Sequence, residues 1–364
     1  MSMSDINKIN EMIAKTKQYK LYFVLFIFFL MFIFFLYYIS KKMSLKQNNC
    51  KRIEGIIPKN TGTVSIGSIN GIILDDNINS FFIKTAYNCC CAGNFKNDYV
   101  DICALKNCAY QGVRALDFQI YSLKNKPIIS ASSMKTNKYK EIYNYLDFYE
   151  TMVNVKRFFI NDPTYSSNLK DPLFLIFRLY STNSVIYDIM AKTLNELFGY
   201  SNPAGNLIYI NPMNSTLDNA SIKNLNGKVI IIVDSTYGDS SKFVSSKLNK
   251  YNSLQIGTLN NNVYREENSL IQLKKINADS STNLTFLYPD LGFSSSNYDY
   301  ITKGVFNKIS FIGMNYQTSD KYLKNYNLMF TIGSVKSAFI YKNDYIKTLM
   351  DTPAYNSYMT AYNK

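Results

Sequence analysis

The residues whose types could do chemistry stand at the ends of strand-like runs. "FFIKTAYNCCC", residues 81–91, is a β-branched and aromatic stretch that stops abruptly at Ala86-Tyr87-Asn88. A buried strand ends in this way when its last residues point into a site. A hydrolase working near neutral pH commonly needs a histidine there. This chain has Tyr87, and it contains no histidine at all. A phenol with an unperturbed pKa near about 10 is a poor proton shuttle at neutral pH. Metal chemistry is no better served. None of the six cysteines, Cys50, Cys89, Cys90, Cys91, Cys103 and Cys108, forms a CxxC pair. Three consecutive thiols do not easily converge on a tetrahedral zinc, and no imidazole is available to help. Free buried thiols are the expectation, with a Cys103–Cys108 bridge as the alternative. Asn214, Asn219 and Asn283 lie in N-x-S/T sequons, which matter only if they face a secretory lumen.

The elements that must position these residues alternate between strand and helix. "FFIKTA", "VRALDFQIY", "KPIISA", "DPLFLIFRLY", "GKVIIIVD", "KISFIGMNYQ" and "VKSAFIYK" read as strands. "DYVDICALKNCAYQG" carries a helical stripe ending at a capping Gly112, and "YKEIYNYLDFYETMV" and "SVIYDIMAKTLNELFGY" are further helices. This alternation predicts an α/β fold with parallel strands and crossover helices, and a (β/α)8 barrel is the leading choice. With 364 residues the chain can bury a core of that size. Residues 236–280 are polar and weakly periodic, and they are expected to lie outside the barrel as a linker.

A different signal precedes the barrel. "LYFVLFIFFLMFIFFLYYI", Leu21–Ile39, is free of charges and helix breakers. As a helix it reaches roughly 28 Å, close to the hydrocarbon thickness of a bilayer. The run is too long for a signal peptide and no small-residue cleavage site follows, so it predicts an uncleaved, single-pass anchor. Tyr22, Tyr37 and Tyr38 sit where interfacial aromatics belong. Lys8, Lys15, Lys17 and Lys20 precede the span, and Lys41, Lys42, Lys46, Lys51 and Arg52 follow it. Both flanks are basic, so orientation is not readable. Half of the net charge of +14 sits in these flanks, which suit anionic lipid headgroups or simply fix topology. The remainder carries 31 basic against 24 acidic residues, an ordinary balance, and shows no nucleic-acid footprint. The organisation expected is a polar leader at 1–20, the span at 21–39, a basic and polar stalk at 40–69, barrel halves at 70–235 and 281–345 around the linker, and a tail at 346–364.

In order, the motifs resemble the catalytic barrel of phosphoinositide-specific phospholipase C, from about Asn79 to Lys342. "FFIKTAYN" is similar to the family's first strand, which ends in Ser-His-Asn, and "QGVRALDFQIY" to the second, with a Glu and an Asp two residues apart. "KPIISAS" resembles the third, ending in a second histidine. "DPLFLIFRLYS" resembles the fourth, where a Glu normally sits. "YPDLGFSSSNYDYITKGVFNKISFIGMNYQT" is similar to the Y half.

The resemblance implies cleavage of a phosphodiester by the neighbouring inositol hydroxyl, with two histidines and a calcium ion at the centre. The histidine positions match Tyr87 and Ala131. The calcium ligands match Asn88, Asp117, Gln119 and Arg178; Asn88 is kept, Asp117 is a shorter carboxylate, Gln119 has lost its charge, and Arg178 replaces an anion with a cation. Headgroup lysines match Ile232 and Asp234, and an arginine matches Phe286, although the neighbouring substrate-binding Tyr288 remains. Losing general acid–base help alone costs on the order of 10²–10⁴ in rate per group. The expectation is therefore a degenerate site on a retained fold, with no catalytic residue, with Asn88 and Asp117 vestigial, and with no calcium. The function expected is that of a membrane-anchored structural or interaction protein with an unidentified protein partner. The Asn-, Lys-, Ile- and Tyr-rich composition suggests AT-rich coding, as in a parasite, a protist or a large DNA virus, and the virion membrane of a large DNA virus is the favoured setting. The rival readings are an active phosphoric diester hydrolase that uses Arg178 in place of calcium, and a lipid-headgroup binder without turnover, which the loss of the lysine pair opposes.

Overall fold

Helix α1 (Met3–Ile56) contains the whole Leu21–Ile39 run, whose side chains are unburied, and it is long and apolar enough to cross a membrane. The structure, a computed structural model, describes residues 3–56, 69, 76–134, 140–213, 215–257, 262–266, 283–331 and 336–362. The chain divides into two compact units, Met1–Asn48 and Asn49–Lys364. The first is helix throughout its described length. The second holds the last turns of α1 and everything after them.

The stalk expected from residue 40 onward is not what residues 40–56 form. No glycine interrupts "KKMSLKQNNCKRIE" before Gly55 and no proline before Pro58, so the helix continues. Within the second unit, Asn49, Cys50 and Ile53 fall on one face of it and pack on the loop after the first strand. Ile53 is fully buried with Ala92 and Ala104, and Asn49 Nδ2 donates to Asp98 Oδ1 at 2.7 Å. Gly93 is required there, because a Cβ would stand 2.1 Å from Asp98 and 2.7 Å from Asn49.

The strands are β1 (Phe81–Ala86), β2 (Ala115–Leu123), β3 (Lys126–Ser130), β4 (Leu146–Asp147), β5 (Leu173–Leu179), β6 (Val229–Asp234), β7 (Asn252–Ile256), β8 (Val263–Arg265), β9 (Phe286–Tyr288), β10 (Phe311–Met314) and β11 (Phe339–Tyr341). Eight of them, β1, β2, β5, β6, β7, β8, β9 and β10, run parallel in that order around a nearly closed barrel. Asn262 links the two ends by accepting from the Gly257 N–H at 3.3 Å. β1, β5 and β6 are buried at every position, as strands covered on both faces must be. Inside, Phe311 stacks on Phe286 with centroids 4.5 Å apart and meets Phe174 edge-on at 5.2 Å. Outside lie α2 (Ile102–Tyr110), α3 (Phe148–Lys156), α4 (Ser184–Leu197), the short α5 (Ile222–Leu225) and α6 (Ser240–Ser245), and α7 (Lys321–Met329). As expected, α2 ends just before Gly112, whose φ is +69°.

Three further expectations are corrected. The described residues of the 236–280 segment, 236–257 and 262–266, are not outside the barrel: β7 and β8 belong to it, and α6 precedes them, while the rest of the segment lies outside the described residues. These strands are short, and β7 is mostly polar, so they lack the long apolar runs that mark the central strands. "KPIIS" is not a barrel strand. β3 returns antiparallel along β2 through the two-residue turn Lys124-Asn125, both at positive φ, and so short a turn cannot make a parallel crossover. The stretch 346–364 is not merely a tail. After α8 (Lys342–Lys347), α9 (Pro353–Tyr362) packs Tyr355 and Tyr358 on Phe306, with centroids 5.3 and 5.1 Å away.

Candidate functional site

At the C-terminal ends of the strands, where barrel sites form, β1 delivers Tyr87 and Asn88, β2 delivers Asp117 and Gln119, and β5 delivers Arg178. Asn88 takes a positive φ of 43°, which asparagine tolerates better than most residues, and this turns the chain out of β1. The parallel register sets Asp117 opposite Ile176 and Gln119 opposite Arg178, so the arginine reaches back along the barrel to the carboxylate.

There it forms a two-pronged ion pair. Arg178 Nε donates to Asp117 Oδ1 at 2.7 Å and Nη2 to Oδ2 at 2.6 Å. Nη2 also donates to Asn88 Oδ1 at 2.7 Å, and Nη1 donates to the Tyr87 hydroxyl at 3.2 Å. The Asn88 backbone N–H adds a third bond to Asp117, 2.9 Å from Oδ2. Both charged side chains are completely buried. Burial opposes the guanidinium's charge, but Asp117 and the surrounding phenols hold its pKa well above the ordinary arginine value. Around it stand three rings: Tyr87 at 4.4 Å, Tyr288 at 5.2 Å and Tyr180 at 5.9 Å from its central carbon. Burial pushes the Tyr288 and Tyr180 phenols far up, and neither hydroxyl has a hydrogen-bond partner among the described residues.

The anticipated residues therefore meet, with two exceptions. Gln119 turns away from the ion pair: its Oε1 accepts from the Ser132 N–H and the Tyr121 hydroxyl, both at 2.8 Å, which ties the hairpin arm to β2. Ala131 is buried beside Ser132 and contributes only a methyl group. None of the group lines an open mouth. Tyr87, Asn88, Asp117, Gln119, Ala131, Arg178 and Tyr288 are all buried, and the crevice beside Asn88 and Asp117 leaves no volume for a water molecule.

Several residues of the site were not anticipated. Tyr180, two positions after Arg178 on its strand, stacks on Tyr237 with centroids 4.7 Å apart and on Tyr121 at 5.3 Å. The i, i+2 spacing from Arg178 was the available signal. Arg265 lies over Tyr288 at 6.0 Å, and it comes from the segment read as a linker. Asp234, which stands where a headgroup lysine was expected, is buried. Burial raises its pKa, and bonds from Thr236 and the charge of Arg178 partly offset this.

These residues do not fit calcium. The ion takes six to eight oxygens, mostly anionic. Both oxygens of Asp117 are already engaged, and a permanent cation sits between them and Asn88.

The disulfide differs from both alternatives read in the sequence. Cys50 is joined to Cys103, while Cys108 is free and buried with Cys89, Cys90 and Cys91. Two residues 53 apart become partners only because α1 docks beside the first turn of α2.

No protein-family model matches the sequence, and no curated protein does. Solved structures do. PLC21 of L. pealei superposes with a TM-score of 0.55 at 14% identity, over 77% of this chain and 39% of that one. PLC21 of S. officinalis gives 0.57 at 14% identity, over 77% and 38%. The phosphatidylinositol-specific phospholipase C of Listeria monocytogenes gives 0.46 at 11% identity, over 75% of this chain and 100% of that one. The chain thus spans about two fifths of the length of the first two. What is shared at this identity is architecture: the chain has the phospholipase C-like barrel fold.

Proposed function

We propose that this chain is a non-catalytic phospholipase C-like protein, anchored in a membrane by Leu21–Ile39 and acting through structure or interaction. The observation that carries this reading is the buried Arg178–Asp117 clasp closed by Asn88 and Tyr87. Cleaving a phosphodiester needs a base, an acid and free positive charge facing the phosphoryl oxygens. Four of the guanidinium's five N–H donors are spent on protein partners. The surrounding phenols are deprived of water, and no imidazole exists to replace them. The bilayer is engaged through the span and its basic flanks. The composition fits a virion membrane component of a large DNA virus, with a protein partner that the barrel surface would recruit.

A second reading is favoured by one feature: a cation stands beside a carboxylate and a phenol, so Arg178 takes the place of a metal in an active diesterase. The full-length chain in lipid nanodiscs separates the two. Hydrolysis of phosphatidylinositol and of a generic phosphodiester is followed with and without calcium. No turnover above an Arg178→Ala variant is expected. Turnover that Asp117→Ala abolishes would establish the second reading.

A further inference from the structure

The flanks of the apolar span are both basic, so charge does not decide which side of a membrane the barrel occupies. The cysteines do. Cys50 on α1 and Cys103 on α2 are both partly exposed, and they are bridged. The other four thiols are buried. Burial pushes the thiols of Cys89, Cys91 and Cys108 well above their usual range, which leaves little thiolate to compete for the bridge. A chain whose accessible cysteines are paired and whose remaining thiols are sealed suits an oxidising compartment.

The sequons agree. Asn219 closes the turn Leu217–Asn219 at an exposed position, within Asn219-Ala220-Ser221. Its amide donates to Thr216 Oγ1, at 3.4 Å and within the same turn. Asn283 is exposed as well, within Asn283-Leu284-Thr285. Asn214 lies outside the described residues. A glycan on either asparagine would start from an exposed side chain.

We propose that the barrel lies on the extracytosolic side, with the 1–20 leader in the cytosol, and that Asn219 and Asn283 accept N-linked glycans there. Cys50 and Cys103 are oxidised in the same compartment. Each thiol gives up a proton, and the two electrons pass to the disulfide of an oxidoreductase, which leaves as a dithiol. This inference rests on the membrane-anchored reading above.

The test translates the full-length chain into endoplasmic-reticulum microsomes. An Asn214→Gln background is used so that only two acceptors remain in the barrel. Two mobility steps sensitive to peptide-N-glycosidase are expected, one lost in Asn219→Gln and the other in Asn283→Gln. Ser221→Ala should remove the first step while keeping the asparagine. The barrel should resist protease added to sealed vesicles, and the Cys50–Cys103 peptide should appear under non-reducing conditions. Ile9→Thr, which completes a sequon at Asn7, should add no step. A step only in Ile9→Thr, or digestion of the barrel in sealed vesicles, overturns the orientation. A protected barrel with no glycan overturns the acceptor assignment. Release of the chain by carbonate would instead sink the anchored reading, which keeps the two failures distinct.

Discussion

Arg178 grips Asp117 through two parallel hydrogen bonds, 2.7 Å from Nε to Oδ1 and 2.6 Å from Nη2 to Oδ2, and both side chains are sealed from solvent. Removing one partner leaves a buried charge uncompensated. Arg178→Met and Asp117→Leu should each destabilise the fold by about 3–5 kcal/mol. The double variant should cost less than either single one, because no orphan charge remains. Thermal melts of the four proteins in detergent measure this. Additive losses would mean that the pair is not a coupled unit.

The same clasp predicts indifference to calcium. Titration calorimetry at millimolar calcium should show no saturable heat, and the melting temperature should not rise. A calcium-dependent rise that Asp117→Ala removes would show that the carboxylate is available to a metal, and the reading of Tyr87-Asn88 as a remnant would then be wrong.

The Cys50–Cys103 bridge spans a sequence separation of 53 residues. The loop-entropy account assigns such a crosslink about 4 kcal/mol. In a unit of this size that corresponds to a melting shift of roughly 6 °C. Cys50→Ser, Cys103→Ser and treatment of the wild type with reductant should each lower the melting temperature by a comparable amount, and reductant should add nothing in the variants. A Cys108→Ser protein should keep the bridge.

Two buried lysines make stability depend on pH. Lys84 donates to the Gln111 carbonyl at 2.7 Å, and Lys342 donates to Ser310 Oγ at 2.9 Å. Burial lowers the pKa of each to about 7, helped at Lys342 by the charge of Lys308 and slightly opposed at Lys84 by Cys108. In the unfolded chain both titrate near about 10.4. Between these values the unfolded state binds more protons, so stability rises with pH from about 7 to about 10, by up to about 1.4 kcal/mol per unit for each lysine. Above about 10 the slope should turn downward, because buried phenols such as Tyr288 and Tyr316 keep protons that the unfolded chain has lost. Denaturation midpoints at pH 7, 8.5 and 10 test this. Lys84→Met should flatten the rise, and an unchanged slope in that variant would remove Lys84 as its source.

The sequence alone determined the central strands, because β1, β5 and β6 are dominated by aliphatic and aromatic residues, with Lys84, Arg178 and Asp234 the charged exceptions, and local pattern is enough to mark a strand buried on both faces. It also marked the apolar span, and the family resemblance placed Arg178 and Asp117 at one site. Only the tertiary structure decided the rest. β7 and β8 are short and mixed in polarity, and they become strands because the barrel supplies edges for them to pair with. Cys50 finds Cys103 through the docking of Ile53 on Ala92 and Ala104, a contact no sequence spacing encodes. The closure of the site by Tyr87, Tyr180 and Tyr288 depends on three rings from three strands converging on one guanidinium. Convergence of that kind is set by how the barrel closes, which local pattern does not carry.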